Sequence, residues 1–468
     1  MRFTFKHLTI AVVSALTLTG CAGNQAPERF EDRVGVQLFM WNFNSIAQEC
    51  EYLGDVGIDW VLVAPPQEHI QGGEWWVGYQ PVSYKLESQL GTQSEFEAMV
   101  KTCGDQGVEI YADAVINHMT GSSEGLGTGG TEYAKYEYTA LYSRSDFHAC
   151  EETMDGQIAD WANLTQVQQC ELLNLADLKT EAESVQAKIV DYLQSLVDLG
   201  VTGFRIDAAK HIAVADLEAI TSKLPAEINY IQEVIPGTPG AEPSDYLTVG
   251  DIFGFDLAYQ LASIFGQQVA FLPDTSTESP WITPSNQTVV MVSNHDTERN
   301  GQTLNYSQPA QFEAATALML ALDYGQPMLY SSYAFDSFDW APKDDNGRTL
   351  DAKCAQSSAI YFSNHEAGAW LCQHRMNSVN GMIAFRDETS GKALTNPQTS
   401  EAVLSFERGD KGFFAVNVTD TKQNGVEITT KLAAGKYLDL ISGKDFEITA
   451  GVVKLDLAAN QAVALVER

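Results

Sequence analysis

"SVQAKIVDYLQSLVDLGVTGFRID" (184–207) contains one full period of a repeating architecture. Val185, Ile189, Leu193 and Leu196 recur at four- and three-residue steps, the spacing of one apolar helix face. Gly200 closes that helix, and the strand "VTGFRID" (201–207) follows directly. The same alternation runs along much of the chain. Further strand candidates are "VGVQLF" (34–39), "WVLVAP" (60–65), "VEIYADAVIN" (108–117), "INYIQEV" (228–234), "TVVMVSNHD" (288–296) and "QPMLYSS" (326–332), with an eighth near "DIFGF" (251–255). Eight parallel strands with amphipathic helices between them specify an α/β fold, the (β/α)8 barrel.

Two intervals break this rhythm. From His118 to Leu178 no barrel-like helix follows the third strand, and the stretch is rich in Gly, Ser, Thr and Tyr. It is too long for a bare loop, so residues 118–178 are expected to form an inserted subdomain between barrel segments 34–117 and 179–380. Beyond about Asn380, "MIAFRD", "AVLSFERG", "GFFAVNVT", "GVEITT", "YLDLIS", "VVKLDL" and "QAVALVE" suggest short strands. They predict a C-terminal antiparallel β-sandwich over 381–468.

The N-terminus carries a targeting signal over 1–21, followed by a linker over 22–33. Arg2 and Lys6 precede the apolar run "LTIAVVSALTL" (8–18), which is too short to span a bilayer comfortably. "LTGC" (18–21) resembles a bacterial lipoprotein processing site, which would make Cys21 the lipidated first residue of the mature chain. An ordinary secretory cleavage near "CAG" is the alternative. Either way the protein is expected to be exported, as an envelope lipoprotein or a secreted protein, with membrane attachment only through a lipid on Cys21. Without Cys21 six cysteines remain (Cys50, Cys103, Cys150, Cys170, Cys354 and Cys372), an even number suited to an oxidising compartment. Spacing alone does not give their pairing, and no Cys-x-x-Cys supports a metal site. With 28 basic and 62 acidic residues the net charge is −34, which disfavours nucleic acid and anionic lipid and leaves a neutral or cationic ligand.

In such a barrel the C-terminal ends of the strands face one cleft. Those ends carry Asn117 and His118, Asp207, Glu233, and His295 with Asp296. A single aspartate at a strand end can be a helix cap, but three carboxylates at separate strand ends are better read as one site. Two of them can divide glycosidic bond cleavage, one attacking the anomeric carbon and one protonating the leaving oxygen. Asp207 lies among Arg205, Lys210 and His211, whose positive charge favours an ionised nucleophile. Glu233 follows "NYIQ" with no basic neighbour in sequence, which suits a proton donor. A divalent metal held by the three carboxylates is the competing reading, weakened by the basic groups beside Asp207. "GGEWWVGYQP" (72–81) adds Trp75, Trp76 and Tyr79 in a Gly-rich loop, flat faces suited to sugar rings, with a core-filling role as the alternative, strongest for Trp75.

"DAVINH" (113–118), "GFRIDAAKH" (203–211), "QEV" (232–234) and "SNHD" (293–296) resemble, in order and spacing, the four signature regions of the α-amylase family of glycoside hydrolases. "WWVGYQPVSYKL" (75–86) and "YADAVINHMTG" (111–121) look closest to its animal-type, chloride-activated branch, and the likeness runs from about Val34 to the C-terminus. The resemblance implies a three-domain, endo-acting enzyme, expected to be monomeric, that cleaves α-1,4-glucan with retention. Asp207 matches the nucleophile, Glu233 the acid/base and Asp296 the third carboxylate. His118 and His295 match sugar-binding histidines, Trp76 and Tyr79 stacking platforms, Gln80 a polar contact and Lys210 a neighbouring subsite; Trp75 and Arg205 are expected among the substrate-binding residues with them. For a structural calcium, Asn117 and Asp177 match side-chain ligands, while Gln168 and His211 match carbonyl donors. Cys50–Cys103, Cys150–Cys170 and Cys354–Cys372 match family disulfides, and a further bridge is missing because Glu87 and Thr120 stand at its positions. The branch's chloride is held at positions matching Arg205, Asn294 and a basic residue after "SSY", where this chain has Ala334. A buried charge left unpaired costs about 3–5 kcal/mol, so chloride binding is expected to be absent or weak. A glucan-binding lipoprotein on an inactive scaffold and a transglycosylating enzyme are the competing functions.

Overall fold

The structure, a computed structural model, describes residues 30–354, 366–449 and 451–468. The leader and Cys21 lie outside the described residues. Eight parallel strands close a barrel: β1 (Gly35–Leu38), β2 (Trp60–Val63), β3 (Glu109–Ala114), β4 (Gly203–Ile206), β5 (Asn229–Gln232), β6 (Asp251–Gly254), β7 (Thr288–Val290) and β8 (Gln326–Ser331). All eight expected strands are present, but each is shorter than its apolar run. The C-terminal part of the run leaves the ladder and becomes the loop that carries the site. Nearly every strand residue is buried, because helices cover the outside and side chains fill the inside.

The helices begin and end where local chemistry directs. Asn42 accepts the Ser45 N–H to cap Phe43–Asp55, and Thr92 forms a capping box with Glu95 to open Gln93–Asp105. Helix Glu183–Asp198 buries Val185, Ile189, Leu193 and Leu196, and Gly200 supplies the positive φ (103°) that turns the chain into β4. Between β3 and β4 the insertion holds a three-stranded antiparallel sheet (Glu124–Leu126, Glu132–Ala134, Glu137–Tyr138) and the short helix Leu164–Gln169. Disulfides join Cys50 to Cys103, Cys150 to Cys170 and Cys354 to Cys372.

The C-terminal domain pairs a six-stranded antiparallel sheet with a two-stranded one, Gln423–Thr429 against Val452–Leu457. One expected strand is wrong: "MIAFRD" belongs to the helix Asn377–Glu388. Val379, Met382, Ile383 and Arg386 fall on its buried face, a three- and four-residue spacing that overrides the β preference of the isolated hexapeptide. Arg386 is buried on this helix and donates to the carbonyls of Leu320, Leu322, Gly325 and Glu31. Residues 30–32, expected as linker, form a turn (Phe30–Asp32) whose Glu31 carbonyl that arginine holds. Among the described residues no helix is long and apolar enough to cross a membrane.

Candidate active site

Strand register assembles the centre of the site. Arg205 on β4 is the Cα partner of Asp113 on β3 and of Ile231 on β5. Side chains two residues apart share a face, so Asp207 lies one step above Arg205 and Glu233 one step above Ile231, all at the C-terminal end of the barrel. Arg205, 1% exposed, places Nη1 at 2.7 and 2.9 Å from the two Asp113 carboxylate oxygens and 2.7 Å from Asp207 Oδ1. Its Nη2 donates to Glu233 Oε2 at 2.7 Å. Ala208 adopts a left-handed φ of 50°, and its N–H reaches the same Glu233 oxygen at 2.9 Å.

Two local expectations are corrected. Glu233 has a basic neighbour after all, because β-sheet pairing brings Arg205 to it across 28 residues of sequence. The His211 ring, in contrast, turns away from Asp207, while Lys210 lines the same cavity as Asp207 without an ion pair to it. The His211 ring bonds to the Val167 carbonyl at 2.8 Å, and Lys210 donates its backbone N–H to the Glu233 carbonyl.

Burial pushes Asp113 up and Asp207 well above the usual carboxylate range, while Arg205 pulls both the other way. Burial, and then Glu233, raise Asp296 to about 7. Arg205 bonds three of these carboxylates and Arg299 also acts on Asp296, so negative groups outnumber positive ones in the buried cluster. The net upward shift of Asp207 corrects the expectation that its basic neighbours favour the ionised form, because burial outweighs Arg205. Burial, reinforced by Arg205 and Arg299, holds His295 well below its ordinary value and therefore neutral.

A cavity of about 590 Å³ opens above this cluster, within the range of small-ligand sites. Asp207, Glu233 and Asp296 line it together, with Trp75, Trp76, Tyr79, Gln80, His118, Lys210 and His295. Arg205, expected among the substrate-binding residues, instead lies beneath the floor, 1% exposed and committed to the carboxylates. Tyr79 stacks on His295 at 5.1 Å and donates its hydroxyl to Asp113. His118 bonds through Nε2 to the Tyr79 carbonyl, and Gln80 accepts from Thr120 and the Gly121 N–H. Trp75 is 5% exposed and packs as much as it lines.

Several residues were missed from sequence. Asp113 sits inside "DAVINH", but only the register with Arg205 gives it a role. Trp161, Leu173, Ile235 and Phe338 also line the cavity, and all four are more than 40% exposed, unusual for large apolar side chains. Phe338 belongs to a loop tied to the tryptophans: its carbonyl accepts from Trp75 Nε1 at 2.8 Å, and Asp339 accepts from Trp76 Nε1 at 2.9 Å. No local pattern marks that loop.

The residues matched to calcium converge at the junction with the insertion. Asn117 and Asp177 side chains approach to 3.5 Å, and His118 pairs with Asp177 through a β-bridge. Helix Leu164–Gln169, which carries Gln168, packs on the turn Ala209–His211. A buried carboxylate, an amide and backbone carbonyls form a hard-oxygen donor set that fits calcium. His148 Nδ1 also lies 2.7 Å from Asp177 Oδ2, a neighbour the sequence did not announce. At the positions matched to chloride, Asn294 Oδ1 is occupied by the N–H groups of Asp296 and Thr297, and buried Ala334 contributes only backbone bonds.

Comparison with known proteins agrees with this geometry. Residues 26–272 match the family model "Alpha amylase, catalytic domain", and residues 395–466 match "Alpha amylase, C-terminal all-beta domain". The chain is 40% identical over 464 residues to an α-amylase of Streptomyces violaceus, covering 98% of this chain and 78% of that one. It is 37% identical to an α-amylase-related protein of Drosophila bipectinata, covering 94% and 92%. The crystal structure of α-amylase I from Eisenia fetida superposes with a TM-score of 0.84 at 30% identity, covering 93% and 97%. With its barrel, its carboxylate cluster and these relatives, the chain belongs to the α-amylase family of glycoside hydrolases.

Proposed function

We propose that this hydrolase acts at internal α-1,4-glucosidic bonds of starch-like glucans by double displacement, with Asp207 as nucleophile and Glu233 as acid/base. The observation that carries the reading is the single guanidinium of Arg205 shared by both carboxylates on its two terminal nitrogens. That sharing holds the pair close, as a retaining mechanism needs. Asp207 attacks the anomeric carbon while Glu233 gives its proton to the departing glycosidic oxygen. A covalent glycosyl–enzyme forms and the glucan fragment leaves. Glu233 then takes a proton from water, which attacks the same carbon and releases Asp207. Asp296, His118 and His295 orient the sugar at the cleaved bond. Trp75, Trp76 and Tyr79 offer apolar faces to its C–H patches, and Gln80 and Lys210 contact adjoining hydroxyls. Maltoheptaose digestion followed by NMR tests this: α-anomeric products must appear first, and Glu233→Gln must abolish cleavage while glucan binding persists. First-formed β-anomers would overturn the mechanism.

Asn117, Asp177 and the carbonyls of Gln168 and His211 would hold a calcium ion that braces the insertion against the barrel. Because Ala334 supplies no positive charge, rates should be equal in chloride-free and chloride-containing buffer, and strong activation would refute this. Export with Cys21 lipidated is the expected route to the substrate, testable by mass spectrometry of the mature N-terminus.

A further inference from the structure

Gln37 is the polar exception in β1, a strand otherwise made of Gly35, Val36 and Leu38. It is 1% exposed, and its side-chain Nε2 lies 3.1 Å from His295 Nδ1. Its other amide atom, Oε1, is buried without a hydrogen-bond partner among the described residues. The imidazole is clamped between parallel rings, Phe39 at 4.6 Å and Tyr79 at 5.1 Å. It cannot tip out of plane, so its two in-plane neighbours decide what it does. On the Nε2 side the neighbour is Asp296 Oδ2 at 3.4 Å.

A neutral imidazole carries one N–H, and two arrangements compete. If Nδ1 held the hydrogen, a lone pair on Nε2 would face the lone pairs of Asp296 whenever that carboxyl is ionised, and the ring would offer the cavity no donor. Gln37 would then have to present Oε1 to the ring and leave two buried N–H groups unpaired. If Nε2 holds the hydrogen, it points at Asp296 and the cavity, and Nδ1 needs a donor. The Gln37 amide supplies that donor through one of its two N–H groups. Either arrangement leaves two Gln37 groups without a partner, so the contact between Nε2 and Asp296 decides between them.

We infer that Gln37 is a positioning residue that fixes His295 as its Nε2–H tautomer, so that the ring donates toward Asp296 and toward a hydroxyl of the sugar bound beside it. The sugar contact rests on the glucan-cleaving reading above; the tautomer does not. The carboxylate gains an oriented partner, and the sugar meets a donor that is set before it arrives.

The test is 15N NMR of the protein labelled at histidine, with the His295 signals assigned by their loss in His295→Gln. The wild type should show a protonated Nε2 and an unprotonated Nδ1 in the absence of substrate; the reverse pattern overturns the inference. In Gln37→Met, of similar length but without a donor, the His295 nitrogens should shift toward a mixture of tautomers. There kcat on maltoheptaose should fall about tenfold with little change in KM. A variant with unchanged nitrogen signals and unchanged kcat would also overturn it. If Gln37→Met does not fold, the wild-type spectrum still decides. An expected spectrum in a protein that does not cleave glucans would refute the functional reading alone.

Discussion

Replacing Arg205 with Met removes the only cation among the described residues that is bonded to Asp113, Asp207 and Glu233, while nearly preserving volume. Removing one partner of a buried pair costs about 3–5 kcal/mol, and about 1.4 kcal/mol is a factor of ten in rate. If that loss falls on the ionised nucleophile, kcat/KM drops by about 10²–10⁴-fold. The sign of the pH effect follows from the same contacts. Arg205 lowers the Asp207 pKa against the upward push of burial, so its removal raises that pKa further. Activity requires ionised Asp207, and the acid limb of kcat/KM therefore moves to higher pH. Asp113 acts oppositely, because its charge raises Asp207. Asp113→Asn should accordingly move the acid limb to lower pH. Arg205→Lys keeps the charge but not the fork, and should fall between wild type and Met. The assay is the pH profile of kcat/KM on maltoheptaose, with thermal melts to exclude unfolding. An acid limb unmoved in both Arg205→Met and Asp113→Asn would refute the shared-cation argument.

Phe338→Ala removes an exposed ring from the cavity edge and should raise KM for long maltooligosaccharides several-fold with kcat unchanged; equal effects on maltotriose and maltoheptaose would count against a stacking role. Glu49 is held at about 2, below its ordinary 4.5, because bonds to His374 and Arg375 outweigh the opposing effect of burial. Its contribution is complete above the free value and lost as pH falls toward 2, so wild type should shed about 3 kcal/mol in that window that Glu49→Gln does not. Parallel losses in urea titrations of the two proteins would show otherwise. Cys50–Cys103 spans 53 residues, and the Cys50→Ala/Cys103→Ala pair should lose about 4 kcal/mol of unfolding free energy. Chelation of calcium should lower the melting temperature of the wild type, and Asp177→Asn should be insensitive to it; a melt unchanged by chelator would remove calcium from the site.

The barrel was legible because its code is local and repeated: an apolar helix face, a glycine, an apolar run. The carboxylates were legible because each stands at the end of such a run. What escaped depends on contacts that sequence does not order. Asp113 becomes part of the site only through its register with Arg205, 92 residues away. Phe338 acts from a loop whose shape is set by bonds from Trp75 and Trp76. The misread helix Asn377–Glu388 contains Gly381, where an added Cβ would collide with the Leu440 carbonyl. The glycine lowers helix propensity locally, yet it is what lets the helix lie against the C-terminal domain.

The grip of Arg386 on Glu31 also fixes where the described chain enters the fold. Gln326, which opens β8, bonds to the Phe30 carbonyl, and Ser285, just before β7, bonds to Glu31. The turn Phe30–Asp32 is thus stapled to the floor of the barrel, at the opposite end from the cavity. Phe30, where the described residues begin, lies at that floor. If Cys21 carries a lipid as proposed, the tether joins the described fold at its base and not beside the cavity, which leaves the mouth clear for a bulky polysaccharide.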